Sequence, residues 1–193
     1  VKIIQEQRKD VHILAIGADD VSYGRKPVNG KTYRQAMLED IKPDLSRLHF
    51  IGQVDYEVFL RVLQISSAHI YLTVPFVLSW SMLEAMSTGC VVIGSNTQPV
   101  REVIEDGRNG VLVDFFSPEQ IAKQTLAALE KPKEYQSIRQ AARQTIIDRF
   151  DLQKLLPLHE KLIEQVASKQ FPPKVQKEID GLYDGQLQHR MAS

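Results

Sequence analysis

Five short apolar runs, separated by stretches with helical spacing, constrain this chain more than any other feature. The runs are Val11–Ile16, Leu48–Ile51, His69–Leu72, Cys90–Ile93 and Val111–Val113. Each has strand length, and most meet a turn signal, at Gly17, Gly52, Gly94 or Gly110. Between them, Tyr56–Ser67 offers Phe59, Leu60, Val62, Leu63 and Ile65 as a broad apolar face. Pro118–Leu129 also has helical spacing, with Ser117 placed as N-cap and Pro118 at the first helical position. Residues 134–167 read as two helices meeting near Phe150-Asp151. Strand alternating with helix predicts an α/β fold: a Rossmann-like, three-layer parallel sheet with helices on both faces.

Composition narrows the class. At 193 residues and 43% hydrophobic, the chain is no disordered segment. A chain of this length buries roughly 70% of its unfolded surface and needs no staples. The expected division is a domain over 1–170 and a polar tail over 171–193, after Phe171-Pro172-Pro173. The 24 Lys and Arg balance 24 Asp and Glu, which argues against gripping a nucleic-acid backbone, so no nucleic-acid partner is expected. The single cysteine, Cys90, gives neither an internal disulfide nor a zinc-type spacing, and a reducing, cytoplasmic setting is expected. The chain starts at Val1 with no signal-peptide layout, so it is expected to begin mid-protein. Val62–Leu83 lacks charge and is long enough to span a bilayer. Pro75 would break such a helix, and a buried strand, a loop and a buried helix explain the same pattern.

A parallel sheet binds ligands beyond the C-terminal ends of its strands. That selects residues 17–30, 52–56, 74–81, 94–101 and 114–116. The densest signal runs from Val74 to Gly89. A strand ends near Thr73, the chain turns at Pro75, a helix starts around Ser79–Ser81, and Gly89 takes the left-handed C-cap position. The free amides and positive dipole end of that helix favour an anion such as a diphosphate. Glu84, one turn in, has two oxygens spread to accept from a pair of vicinal hydroxyls. Ser81-x-x-Glu84 equally fits a capping box, with Glu84 folded back on the backbone. Spacing alone leaves both readings open.

Other residues read as structural. His12, His49 and His69 fall on strands and are expected to be packed or hydrogen-bonded rather than basic catalysts. Cys90 in a buried strand should be inert. Trp80 could stack on a ligand, but packing beneath its helix is the default expectation. Asp106-Gly107 and Asn109-Gly110 read as turns supplying positive φ. Residues 17–34 form a long polar loop in which Arg25 and Lys26 are expected to be solvated. Arg101 is placed in the first turn after Pro99, facing either a phosphate or solvent, and Glu102 could favour the same N-terminal turn.

Ordered motifs add a resemblance. Ser81–Val92 is similar to a segment of the family 4 (group 1) retaining glycosyltransferases in which Leu-Glu-Ala-Met is followed by a glycine and a buried strand. Val100–Ile104 with Glu105–Val113, and His49–Val54, resemble two further motifs of that family, in the same order. The resemblance covers about residues 8–166. It implies a GT-B enzyme of two Rossmann-like domains, with this chain as the C-terminal donor domain and its first strand cut away. Its substrate would be a nucleotide-diphospho-sugar, without a resident cofactor or divalent metal. The acceptor domain would be a separate, N-terminal part holding the catalytic groups, so the isolated chain is expected to be inactive. Peripheral attachment of the full-length enzyme to a membrane stays open.

Carried onto this sequence, Glu84 is the second Glu of the family's Glu-x7-Glu motif, which holds the donor ribose. Phe76 stands where the first Glu, a donor-sugar contact, would fall. Backbone amides near Ser79, Trp80 and Ser81 would face the phosphates, and Gly52 and Val54 lie where the family packs the base. Arg101 is the remaining cation near that edge, the family's own cation pair lying upstream of Val1. Two alternatives stand beside the transferase reading. One is a GT-B sugar-nucleotide 2-epimerase, although this half shows no convergent acid and base pair. The other is a non-catalytic nucleotide-sugar binding module, which Phe76 keeps open. A dinucleotide oxidoreductase is disfavoured because no G-x-G-x-x-G follows a strand.

Overall fold

A computed structural model gives the fold and describes residues 1–19, 21, 25, 27, 30–73, 78–168 and 173. Lys26, residues 74–77 with Phe76, and residues 171–193 apart from Pro173 lie outside the described residues. The chain divides into two compact units, Val1–Arg149 and Phe150–Ser193.

The first unit begins with α1 (Lys2–Gln7), β1 (Ile13–Ile16), α2 (Tyr33–Ile41), β2 (Leu48–Gly52), α3 (Tyr56–Ile65) and β3 (Ala68–Tyr71). It continues with α4 (Trp80–Ser87), β4 (Val91–Ser95), α5 (Gln98–Arg101), β5 (Val111–Val113), α6 (Pro118–Glu130) and α7 (Gln136–Arg149). All five apolar runs form strands, and every strand pairing is parallel. The strands form two hydrogen-bonded groups, a β1–β2 pair and a β3–β4–β5 sheet. The uncharged Val62–Leu83 stretch is shared among α3, β3 and α4, and no described helix is long and apolar enough to cross a membrane.

Burial centres on β4, where all five residues are buried. Alternation sends Val91 and Ile93 to one face and Val92 and Gly94 to the other. Val91 and Ile93 pack with Val111, Val113 and Ala128, and with the partly buried Ile121 of α6, Tyr135 just before α7 and Ile138 of α7. On the opposite face the backbone of Gly94 lies close to Val100 and Ile104; a Cβ there would sit 3.1 Å from Val100 Cγ1. A strand covered on both faces needs helical layers on both sides, and that is the α/β arrangement expected from the sequence. Each fully buried aliphatic side chain contributes roughly 1.5–3 kcal/mol by leaving water.

Two turn assignments are corrected. Gly107 takes the left-handed region (φ 73°), as expected, but neither Asn109 nor Gly110 has a positive φ. Gly110 is small because a Cβ would meet Ile104 at 2.9 Å. Asn109 is a buried hub. Its Oδ1 accepts from the Glu105 N–H at 2.7 Å, and its Nδ2 donates to the Val103 carbonyl and to Thr145 Oγ1, both at 3.0 Å.

In the second unit, α8 (Leu152–Ala167) is capped by Asp151, whose Oδ1 accepts from the Gln153 N–H at 3.0 Å. Pro157 lies inside this helix, where it removes one backbone donor.

Candidate functional site

The ligand edge is built around α4, and the packing fixes that helix at both ends. At its front, Ser79 is the N-cap, and its Oγ accepts from the Ser81 N–H. The Ser79 N–H donates to the hydroxyl of Tyr71, a buried residue of β3, at 2.9 Å. At its rear, Gly89 takes φ 73°, which a side chain would resist. There, two arginines of α7 satisfy backbone carbonyls: Arg143 donates to Ser87, and Arg139 donates to Gly89 and, at 2.8 Å, to Ser67. Cations at a helix C-terminus are favoured by its negative dipole end. The fully buried Ser95 at the end of β4 clasps the end of β3: its Oγ accepts from the Thr73 N–H at 3.1 Å and lies 3.2 Å from the Thr73 carbonyl.

This geometry removes the capping-box reading of Glu84. Because Ser79 is the N-cap, the residue three positions on is Met82, so Ser81-x-x-Glu84 is not a capping box. The Glu84 side chain stands half-buried in the second turn, beside the hydroxyl of Tyr56 at the start of α3. The hydrogen bond to Glu84, with partial desolvation and the carboxylate's charge, pushes the Tyr56 phenol above its ordinary pKa.

The ends of β1 and β2 frame an open cleft of about 710 Å³, walled by Ile16, Gly17, Gln53, Val54, Asp55, Val58 and Phe59. Gly52 closes β2 with φ 78°, and its carbonyl accepts from the Gly17 N–H at 2.9 Å. A second hollow of about 460 Å³ lies at the ends of β4 and β5, beside Asn96, Thr97 and the edge-to-face pair Phe115 and Phe116.

The expected site residues are thus only partly gathered. Ser79, Trp80, Ser81 and Glu84 share α4 and its cap, and Val54 lines the cleft that Gly52 borders. The Ser79 amide donates to Tyr71 and the Ser81 amide to the Ser79 hydroxyl, so neither is free for a phosphate as expected; among the described residues, the Trp80 amide has no partner. Trp80 is 73% exposed at the helix tip, which overturns the expectation that it packs beneath the helix. Arg101 is exposed in the last turn of the four-residue α5, and no described contact links it to α4. Glu102 is the C-cap of α5, so it cannot serve the N-terminal turn. Phe76 is outside the described residues.

The cysteine and the histidines expected to be structural behave so. Burial pushes the Cys90 thiol up to about 11, far from a reactive thiolate. Burial also pushes the His69 pKa down. His12 and His49 face one another, Nδ1 to Nε2 at 2.9 Å, with stacked rings. Among the described residues, no group of three or more His, Cys, Asp and Glu side chains could hold a metal ion.

The sequence profile described as "Glycosyl transferases group 1" matches residues 1–145, three quarters of the chain. This chain belongs to that family. It is 27% identical over 122 residues to an uncharacterized glycosyltransferase of Methanocaldococcus jannaschii, a match covering 63% of this chain and 31% of that protein. Among solved structures it resembles a sucrose-phosphate synthase from Thermosynechococcus elongatus (TM-score 0.71, 17% identity, 86% of this chain and 41% of the other). It also resembles Anabaena HepE in complex with UDP (TM-score 0.66, 17% identity, 86% and 43%). These likenesses establish the fold, one half of a GT-B glycosyltransferase. The chain spans between about a third and under half of the lengths of these three relatives.

Proposed function

We propose that this chain binds the nucleotide-diphospho-sugar donor of a retaining glycosyltransferase. The observation that carries the reading is the state of Glu84: one turn inside an anchored helix at the ligand edge and not folded back as a cap. In this reading the carboxylate accepts from the ribose 2′- and 3′-hydroxyls. The base enters the cleft beside Val54 and Gly52, and the diphosphate meets the tip of α4 near Trp80 and Ser81. That Anabaena HepE, of the same fold, is known in complex with UDP supports nucleotide binding as the reading for this chain.

Chemically, the helix tip, with cations supplied by the separate acceptor domain or the chain upstream of Val1, offsets the charge that builds on the departing diphosphate, so the anomeric carbon can become positive. No resident cofactor or divalent ion has a role in this proposal. A separate acceptor domain supplies the catalytic groups and the other wall of the cleft, in a cytoplasmic setting. Without it the chain alone is expected to bind but not to transfer. The alternative of a binding module without catalysis keeps one specific support, Phe76 in place of an acidic sugar contact.

Trp80, the single tryptophan of the chain, sits at the tip and gives the readout. Titration with UDP, GDP and ADP should change Trp80 fluorescence with at least one of them. Glu84→Ala should weaken that nucleotide by about 1–3 kcal/mol. Saturable binding that ignores Glu84 would defeat the ribose assignment, and no binding to any of the three would defeat the donor reading.

A further inference from the structure

We propose that the hollow at the carboxyl ends of β4 and β5 is a saccharide subsite, in which the ring of Phe116 stacks on one face of a pyranose while Asn96, Asp114 and Gln120 take its hydroxyls. The site is separate from the proposed nucleotide edge, because neither α3 nor α4 contributes to its walls.

The rim is fixed by its own sequence. Asp114-Phe115-Phe116-Ser117 links the end of β5 to α6. Asp114 Oδ1 accepts from the Phe116 N–H at 2.9 Å, and the Asp114 N–H donates to Gln120 Oε1 at 2.7 Å. The Ser117 N–H donates to the Asp114 carbonyl at 3.2 Å, and Ser117 Oγ, the cap of α6, accepts from the Gln120 N–H at 3.2 Å. Across the hollow, the Asn96 N–H donates to the Val113 carbonyl at 2.7 Å, which ties the exit of β4 to β5. The walls are therefore set before a ligand arrives, and little ordering cost is left for binding.

A single exposed ring on a surface needs no explanation. Phe116 differs in what surrounds it. It is 86% exposed although its own amide is tied down, and Phe115 meets it edge-to-face with centroids 4.9 Å apart. A perpendicular pair offers no parallel slot for a flat nucleobase. A pyranose needs only one aromatic face, because its axial C–H groups are slightly positive and the face of the ring is negative. Polar capacity lies beside the ring. Among the described residues, the Asn96 side chain, the second Asp114 oxygen and Gln120 Nε2 have no partner. They supply both donors and acceptors for hydroxyls. The volume of about 460 Å³ falls in the range of small-ligand pockets, roughly 300–1,000 Å³. The position agrees as well, since parallel sheets bind ligands outside the carboxyl ends of their strands. The ligand class suits a chain of the group 1 glycosyl transferases.

A titration on the 193-residue chain tests this. Methyl glycosides of glucose, galactose, mannose and N-acetylglucosamine are added while the side-chain amide resonances of Asn96 and Gln120 are followed. At least one glycoside should shift both resonances saturably, in the millimolar range, and leave the Trp80 indole resonance at the tip of α4 in place. Sorbitol, a polyol without a ring face, should shift neither. Phe116→Ala should weaken the bound glycoside about tenfold or more. Phe116→Tyr keeps the aromatic face and should bind within about twofold of wild type. Asp114→Asn keeps an oxygen for the Phe116 N–H but loses the charged acceptor, and should weaken binding about three- to tenfold. No shift with any of the glycosides, an equal response to sorbitol, or a shift at Trp80 in place of Asn96 and Gln120 would overturn the proposal. So would Phe116→Ala or Asp114→Asn binding like wild type, or Phe116→Tyr losing as much as Phe116→Ala. No variant touches α4, so the result stands apart from the fate of the nucleotide reading.

Discussion

The two strand groups of the first unit are built differently. In β3–β4–β5, β4 is buried along its whole length, and Val91, Val92 and Ile93 are all at 0% exposure. In the β1–β2 pair, Leu14, Phe50 and Ile51 are each 40% exposed, and Leu48 is the one buried residue of the two strands. The polar contacts divide less sharply. The three-stranded group is held by the buried Ser95 and Asn109, whereas the β1–β2 region combines the buried Gln5, whose side chain donates to the Asp44 carbonyl and accepts from the Asp44 N–H, with surface pairs around Asp44, Arg47 and the two histidines. A dry sheet fixes α4, while the wetter pair shapes an open cleft beside α3. Rigidity is therefore concentrated under the carboxylate, and the neighbouring cleft is walled by smaller and more exposed groups.

The contrast can be broken by core substitution. Ile93→Ala should cost about 2–5 kcal/mol in urea unfolding, and Leu14→Ala less than about 1.5 kcal/mol. Equal losses would mean that the two groups share one core. Next in size, Asn109→Ala should cost about 2–3 kcal/mol, because the Glu105 N–H and the Val103 carbonyl would lose their buried partner. A loss within about 0.5 kcal/mol would show that water replaces the side chain there.

The smallest effect belongs to Asp44 in the wetter region. Hydrogen bonds from Ser46 and Arg47 hold its carboxyl down to about 2. A depressed carboxyl stabilises the fold above its unfolded value, roughly 3.9, and that contribution disappears as pH falls from about 4 toward about 2. Asp44→Asn should therefore flatten the stability profile in that acid window and leave the profile above about pH 5 parallel to wild type. A profile of unchanged slope below pH 4 would remove Asp44 as a source of acid sensitivity.

Much of this architecture was legible in the chain. The five strands, α3, α6, the Phe150-Asp151 break and the left-handed Gly89 follow from apolar spacing and turn chemistry, which act over a few residues. The contacts that fix the site were not legible, because they join residues far apart in sequence. Arg143 to Ser87 spans 56 positions, Arg139 to Ser67 spans 72, and Ser95 to Thr73 spans 22. The capping box misled for a local reason. Two serines, Ser79 and Ser81, could each start α4, and a shift of two residues decides whether Glu84 is used or free. The same shift places Trp80 at the tip rather than beneath the helix.

The arginine anchorage behind α4 separates two evolutionary burdens. Because the helix is held from the rear by α7, substitutions ahead of its first turn need not disturb the carboxylate one turn in. If Glu84 holds the nucleoside as proposed, that grip is separated from changes at residues 74–77, where Phe76 stands at the family's acidic position, by a helix anchored from behind.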